Sequence, residues 1–183
     1  MTAPEKQNSS VYRATKDSSK WYVLITKPRA EKQVSKRFTE MGICHFLPMQ
    51  KQLRQWHDRR KWVEIPLFNH YIFVKTQNHL RSKVFEAGGL IKYLFIGGEI
   101  GTLTEEEVHR IRLLCSSSKP VTVQEGVNLG AGDEVEILEG HFAGMRGILL
   151  QDGDNQKLKL SIGGLGCFAT VAIDKTTVKK ISA

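Results

Sequence analysis

The sequence lacks the features that mark several large classes of protein. No stretch of its 183 residues approaches the roughly 20 apolar residues that a membrane-spanning helix needs, so no membrane association is expected. The first 20 residues contain no apolar segment of the kind found in secretory leaders. Three cysteines, Cys44, Cys115 and Cys167, are too few and too far apart for a disulfide framework. These absences predict a cytoplasmic protein.

Groupings of residues that are typical of enzymes are also missing. The six histidines are scattered singly, and neither Cys44-His45 nor His57-Asp58 has a further partner at catalytic or metal-ligand spacing. The pairs Gly97-Gly98 and Gly163-Gly164 lack the strand and helix context of a nucleotide-binding loop. We therefore predict a protein that is not an enzyme and that uses no metal or other cofactor.

What the sequence does have is basic charge, concentrated in one part of the chain. Residues 21–118 hold 16 Lys and Arg against 9 Asp and Glu, whereas residues 119–183 hold 7 against 8. Glycine is distributed the other way, since 10 of the 16 glycines lie from Gly126 onward. The basic part suggests a polyanionic partner. The shift in composition predicts a disordered tail (1–19), a first domain (20–117), a linker (118–127) and a second domain (128–183).

Apolar spacing in the first domain alternates between strand and helix periods. The predicted order is βαββαβα, an α+β, ferredoxin-like sheet with an added helix and with helices mainly on one face. The predicted elements are strands at 21–25, 44–49, 67–75 and 91–96, and helices at 30–41, 80–87 and 104–115. Thr104 and Glu107 have the spacing of a capping box at the start of the last helix.

The strand at 67–75 is apolar on both faces. Tyr71 and Phe73 point one way and Ile72 and Val74 the other, because strand side chains alternate. One face can pack under the helices. The other face either is covered by the added helix or a hairpin, or exposes aromatic side chains to a partner.

The second domain shows short, alternating strands and glycine-rich turns. Val135 and Ile137 alternate with acidic residues, and the same period continues at Leu158, Leu160 and Ile162. This pattern predicts a small SH3-like β-barrel in which Phe142 plugs one end. The glycines disfavour an alternative helical fold, because each interior Gly costs a helix about 1 kcal/mol.

Particular strings in both halves resemble one family. The string GDEVEILEGHFAGMRGIL is similar to a KOW motif. The earlier strings WYVLITKPRAEKQV, PLFNHYIFVK, IKYLFIGG and TEEEVHRI resemble the NusG N-terminal domain, and together the matches cover nearly all of the chain after residue 20. PLFNHYIFV looks closer to RfaH-like specialised paralogues, and SIGGLGCFATV resembles the UpxY-type antiterminators.

The resemblance implies a binding partner for the first domain. A NusG-like domain docks on the clamp helices of RNA polymerase through an aromatic face and favours the processive enzyme. In this chain Phe68, Tyr71 and Phe73 match the docking positions, and Ile25 lies where the family often has an aromatic residue.

A second implied partner is the exposed non-template DNA strand. Lys27 and Arg37 match positions that read this strand in specialised paralogues, and Arg29 lies beside them. Independently of the resemblance, the segment 51–61 has five basic residues around Trp56, including Arg59, Arg60 and Lys61. Such a segment suits single-stranded nucleic acid, although a merely solvated hairpin is the alternative.

The resemblance also bears on the second domain. Housekeeping members use a Phe and an Arg in one barrel turn to bind Rho or ribosomal protein S10, whereas this chain has Gly163-Gly164-Leu165 there. Weak Rho binding is therefore expected, with S10 as a candidate partner of Phe142, Gly163 and Leu165. We predict a monomeric antitermination factor that acts on RNA polymerase. The alternatives are a housekeeping NusG-type factor and a KOW-type ribosomal or RNA-binding protein.

Overall fold

The computed structural model describes residues 19–55, 59–125, 132–152, 155–173 and 178–181. Most of the expected tail, part of the expected linker, and Trp56 and His57 lie outside these ranges. The first domain is built on an antiparallel sheet whose side chains are apolar on both faces. Its strands, in spatial order, are β2 (His45–Phe46), β5 (Tyr71–Thr76), β1 (Lys20–Thr26) and β6 (Leu90–Tyr93), with β9 (Thr102–Leu103) also paired to β1.

Two of the three helices lie on one face of this sheet, as expected, and the added helix covers the other face. α1 (Glu31–Glu40) and a 3₁₀ helix (Asn78–Ala87) pack on one face, and α2 (Glu105–Cys115) packs on the other. The reason is the alternation of apolar side chains along the two central strands. The first face holds Tyr22, Leu24, Ile72 and Val74, and the second holds Trp21, Val23 and Phe73.

Two hairpins lie outside the main sheet. The basic segment forms a long hairpin of β3 (Met49–Gln55) and β4 (Arg60–Pro66). A small hairpin of β7 (Phe95–Ile96) and β8 (Glu99–Ile100) follows β6. The stretch expected to be a single strand at 91–96 is therefore divided between β6 and β7.

The start of α2 confirms the predicted capping box. The Glu107 backbone N–H donates to Thr104 Oγ1 at 3.1 Å, and the Thr104 N–H donates to Glu107 Oε2 at 2.8 Å. These two bonds satisfy backbone donors that have no partner within the helix. None of the helices in the described ranges is long and apolar enough to cross a membrane.

The second domain is an antiparallel sheet in the order β10-β14-β13-β12-β11-β15. Its strands are β10 (Val121–Glu125), β11 (Asp133–Ile137), β12 (Arg146–Asp152), β13 (Asn155–Ile162), β14 (Cys167–Ile173) and β15 (Val178–Lys180). The alternating residues Val135, Ile137, Leu158, Leu160 and Ile162 are all buried, as their period predicts. β10 lies within the segment that we expected to be a linker, so this sheet begins before residue 128.

Candidate functional site

The four side chains predicted to bind polymerase lie on one face of the first sheet. In the β1–β5 register Ile25 is opposite Tyr71, and Val23 is opposite Phe73. Residues directly opposite in an antiparallel pair share a face. Phe68 precedes β5, and its ring centroid lies 6.0 Å from that of Phe73. We call Ile25, Phe68, Tyr71 and Phe73 the aromatic face.

The aromatic face is largely covered in this structure. Phe73 is 0% exposed and Phe68 is 3% exposed, whereas Ile25 and Tyr71 are half-buried. The ring of Phe46 lies 5.9 Å from that of Phe73, and the Arg112 guanidinium of α2 lies 4.7 Å from the centroid of the Phe46 ring. Phe73 is therefore a core residue of the first domain in this arrangement, and Tyr71 is the more accessible aromatic side chain.

The second domain contributes to this covering. The buried side chains of α2, together with Phe68, Tyr71 and Phe73, form one continuous apolar cluster with those of the second domain. A cavity of about 420 Å³ lies between the domains. Phe68 and Tyr71 line it from the first domain, and Val121, Leu165 and Cys167 line it from the second. The chain thus packs its second domain against the face predicted to bind a partner.

The turn Gly163–Leu165 between β13 and β14 makes one of the contacts between the domains. The Gly164 N–H donates to Glu107 Oε1 at 3.2 Å, so the capping carboxylate of α2 also holds the second domain. A Cβ added at Gly164 would overlap the Thr102 carbonyl and would lie 2.7 Å from Leu103 Cδ2. Only glycine at position 164 lets the turn approach β9 this closely.

A second contact joins the domains at the end of α2. His141 Nε2 donates to the Leu113 carbonyl at 2.7 Å and lies 3.2 Å from Ser116 Oγ. The last carbonyls of a helix have no partner within the helix, so a donor from another element satisfies them. Phe142 packs its ring 4.9 Å from that of His141 and is buried.

The residues expected to bind partners of the second domain therefore lie at or near the contact with the first domain. Leu165 and Phe142 are buried, and Gly163 is exposed beside Glu107. Sequence reasoning could not place them there, because the contact depends on how two domains dock. The glycine at position 164 was the available signal, since glycines often mark close approaches of backbone.

The basic residues near α1 lie in different environments. Lys27 and Arg29 are exposed after β1, and Arg29 has a left-handed backbone with φ of 61°. Arg37 is half-buried and donates through Nη1 to the Ala87 carbonyl at 2.8 Å, which ties α1 to the end of the 3₁₀ helix. Lys32 Nζ donates to the Glu64 carbonyl at 2.9 Å, so α1 also contacts the base of the long hairpin.

The residues at the start of β4 are basic and exposed. Arg59, Arg60 and Lys61 are exposed, and Arg60 Nε donates to Gln55 Oε1 at 3.0 Å. The neighbouring Trp62 is 63% exposed, and our sequence prediction did not single it out. The sequence feature that could have identified Trp62 is its position directly after three basic residues.

The titratable groups described for the first domain have mainly structural partners. His45 bonds Ser35 Oγ through Nε2 at 2.9 Å and the Ile43 carbonyl through Nδ1 at 2.9 Å. Burial raises the pKa of the Cys115 thiol to about 11 and that of Tyr93 to about 12, so both stay protonated at neutral pH. Within the described ranges no three His, Cys, Asp or Glu side chains cluster as metal ligands.

Comparisons with known proteins give one family and one fold. The family model described as "Transcription termination factor nusG" matches residues 19–112. A solved structure titled "Domain interaction in Thermotoga maritima NusG" is similar with a TM-score of 0.54 and 22% identity, covering 90% of this chain and 98% of that one. The structure titled "Crystal Structure of MjSpt4:Spt5 complex conformation B" aligns with a TM-score of 0.30 and 15% identity, covering 89% of this chain and 97% of that one. No curated protein sequence matches the chain.

Proposed function

Because the chain belongs to the NusG family of transcription factors, we propose that it is a specialised elongation and antitermination factor. It binds the clamp helices of RNA polymerase through the aromatic face and keeps the enzyme processive. The observation that carries this proposal is the register that places Ile25, Tyr71 and Phe73 on one face, with Phe68 beside them.

Polymerase binding through this face requires the two domains to separate. The second domain packs against the side chains that the clamp helices would contact. The two partners therefore compete for one surface. When only the open form of a protein can bind, the apparent dissociation constant equals the intrinsic one divided by the fraction of molecules that are open. The closed arrangement thus restricts polymerase binding to conditions that open the chain.

The basic residues extend the proposed contact to nucleic acid. Lys27 and Arg29 are exposed at the end of β1, and Arg59, Arg60 and Lys61 are exposed at the hairpin tip. Cations in these positions neutralise phosphates of a displaced non-template strand. Arg37 contributes in part, because one of its donors already holds the Ala87 carbonyl.

For the second domain we propose weak or no binding to Rho. The turn that in housekeeping members carries a Phe and an Arg is here Gly163–Leu165, and it fits against β9 instead. Once the domains separate, this turn and Phe142 become the candidate surface for ribosomal protein S10. A role that opposes termination follows from the loss of the Rho contact.

The test is transcription in vitro by the host polymerase on templates with terminators, with and without Rho. The chain is expected to raise readthrough at both kinds of terminator. Tyr71→Ala is expected to abolish much of the gain, whereas Ile91→Ala, at an exposed position on β6, leaves it unchanged. An increase in Rho-dependent termination would instead identify a housekeeping factor and defeat the proposal.

A further inference from the structure

The outer part of the long hairpin carries an unusual pair of exposed apolar side chains. Trp62 is 63% exposed, the most exposed large apolar side chain in the described ranges. Leu53, its direct partner across the hairpin, is 48% exposed. Together Trp62 and Leu53 form a contiguous apolar patch on the hairpin, and such patches are common at binding sites.

Cations flank this apolar pair on the same face of the hairpin. Strand alternation and the β3–β4 register place Lys51 two residues from Leu53, and Arg60 two residues from Trp62. Two residues along a strand span about 7 Å, so Arg60 lies on one side of the indole, and Lys51, with Glu64 opposite it, lies on the other. Both Lys51 and Arg60 are exposed, and neither forms an ion pair with a residue that the structure describes.

Space for a flat ligand lies beside Trp62. A groove of about 960 Å³ runs between the hairpin and the end of α2. Trp62 and Lys51 line one side of it, and residues 115–118 line the other. The serine backbone and hydroxyl groups on that side offer hydrogen-bonding groups at the edge of an apolar surface.

We propose that Trp62 is a stacking platform for an unpaired nucleobase, and that Lys51 and Arg60 hold the phosphates on either side of it. The ligand class is single-stranded nucleic acid. The positive charges fit a polyanion, and only an unpaired base offers the indole a free ring face. This inference rests on the nucleic-acid contact proposed above for the hairpin and adds that the bases, not only the phosphates, are bound.

The experiment measures binding of fluorescently labelled oligodeoxythymidine to the full-length chain at low ionic strength. Trp62→Ala is expected to weaken binding roughly 5- to 150-fold, since base–aromatic stacking contributes about 1–3 kcal/mol per base. Trp62→Phe keeps a ring and is expected to retain most of the affinity. Phe95→Ala, which removes an exposed aromatic from the other hairpin, is the matched control and leaves binding unchanged.

An oligonucleotide of the same length with abasic sites separates stacking from charge. It keeps the phosphates and lacks the bases, so the unchanged chain and Trp62→Ala are expected to bind it equally. If the unchanged chain and Trp62→Ala bind oligodeoxythymidine equally, the proposal is overturned. It is also overturned if Trp62→Ala loses affinity equally for single-stranded, abasic and duplex DNA. Chemical denaturation of Trp62→Ala confirms that the variant is folded.

The outcome is independent of the polymerase assay. A chain that binds oligonucleotide through Trp62 but fails to bind polymerase defeats the proposed function and leaves this inference standing. A chain that binds polymerase while Trp62→Ala leaves oligonucleotide binding unchanged defeats only this inference.

Discussion

The aromatic face and the long hairpin belong to the same domain but differ in their exposure to solvent. The aromatic face is apolar and covered, with Phe73 at 0% exposure, whereas Trp62 on the hairpin is 63% exposed among basic residues. The two surfaces that we propose to bind partners therefore differ in their exposure to solvent. Under the proposal, the hairpin is open to a ligand in the closed chain, whereas Phe68 and Tyr71 of the aromatic face become accessible only after the second domain separates.

The largest effect that separates the two regions is on stability. Phe73→Ala is expected to lower the free energy of unfolding by about 3–5 kcal/mol, because it leaves a cavity in the packed core. Trp62→Ala is expected to change it by less than about 0.5 kcal/mol, as for most surface substitutions. Urea denaturation of both variants measures the contrast. A similar loss of unfolding free energy in both variants would show that Trp62 is packed in solution. The aromatic face and the hairpin would then not differ in burial.

Charge reversal at the hairpin tip tests the other side of the comparison. Replacing Arg59, Arg60 and Lys61 with Glu is expected to weaken binding to transcribing complexes in a salt-dependent way. Each phosphate contact on a single strand contributes roughly 0.7 to the slope of log affinity against log salt, so the slope is expected to fall by about 2.

The matched control for this variant reverses three exposed lysines elsewhere, Lys20, Lys92 and Lys179. It changes the net charge equally and is expected to leave the slope nearly unchanged. If the hairpin variant bound transcribing complexes at low salt as tightly as the unchanged chain, the basic residues of the hairpin would have no role in binding and would only be solvated.

The smallest expected effect concerns a polar contact on the covered side of the sheet. Glu105 Oε1 lies 2.8 Å from Lys75 Nζ and accepts a hydrogen bond from Trp21 Nε1 at 3.0 Å. These partners, Lys75 first, hold the pKa of Glu105 below its ordinary value. A depressed folded-state pKa contributes stability above the ordinary pKa, and this contribution is lost as the pH falls through the lowered value.

Glu105→Gln is therefore expected to lower the free energy of unfolding at neutral pH by roughly 0.2–1 kcal/mol, since the carboxylate is largely exposed. The difference from the unchanged chain is expected to shrink as the pH is lowered below the ordinary carboxyl pKa. Glu86→Gln, at an exposed carboxylate without an ion pair in the described ranges, serves as the control. If the stability difference between Glu105→Gln and the unchanged chain grew as the pH fell, the lowered pKa of Glu105 would be contradicted.

Local patterns in the sequence predicted much of the fold. The Thr104–Glu107 capping box, the alternation along β5 and the period of β13 are determined by neighbouring residues, and the structure confirms them. The aromatic face follows from that alternation in β5, together with the resemblance to a known family.

What the sequence did not predict depends on contacts between distant parts of the chain. The assignment of Val121–Glu125 to a strand rests on its pairing with β14, more than 40 residues later. The fit of Gly164 against β9 likewise requires docked elements. The exposure of Trp62 depends on a hairpin that projects from the sheet, which no local period encodes.

The most direct test of the account is the affinity of Gly164→Ala and Gly163→Ala for the elongating polymerase. A Cβ at Gly164 meets the Thr102 carbonyl of the first domain, whereas one at Gly163 finds its nearest neighbour, Glu107 Oε1, at 3.5 Å. Overpacking costs about 1–3 kcal/mol, so Gly164→Ala is expected to open the domains and bind polymerase up to roughly 5- to 150-fold more tightly. Gly163→Ala is expected to bind like the unchanged chain. Equal affinity of all three proteins, or weaker binding by Gly164→Ala, would contradict the claim that the second domain restricts access to the aromatic face.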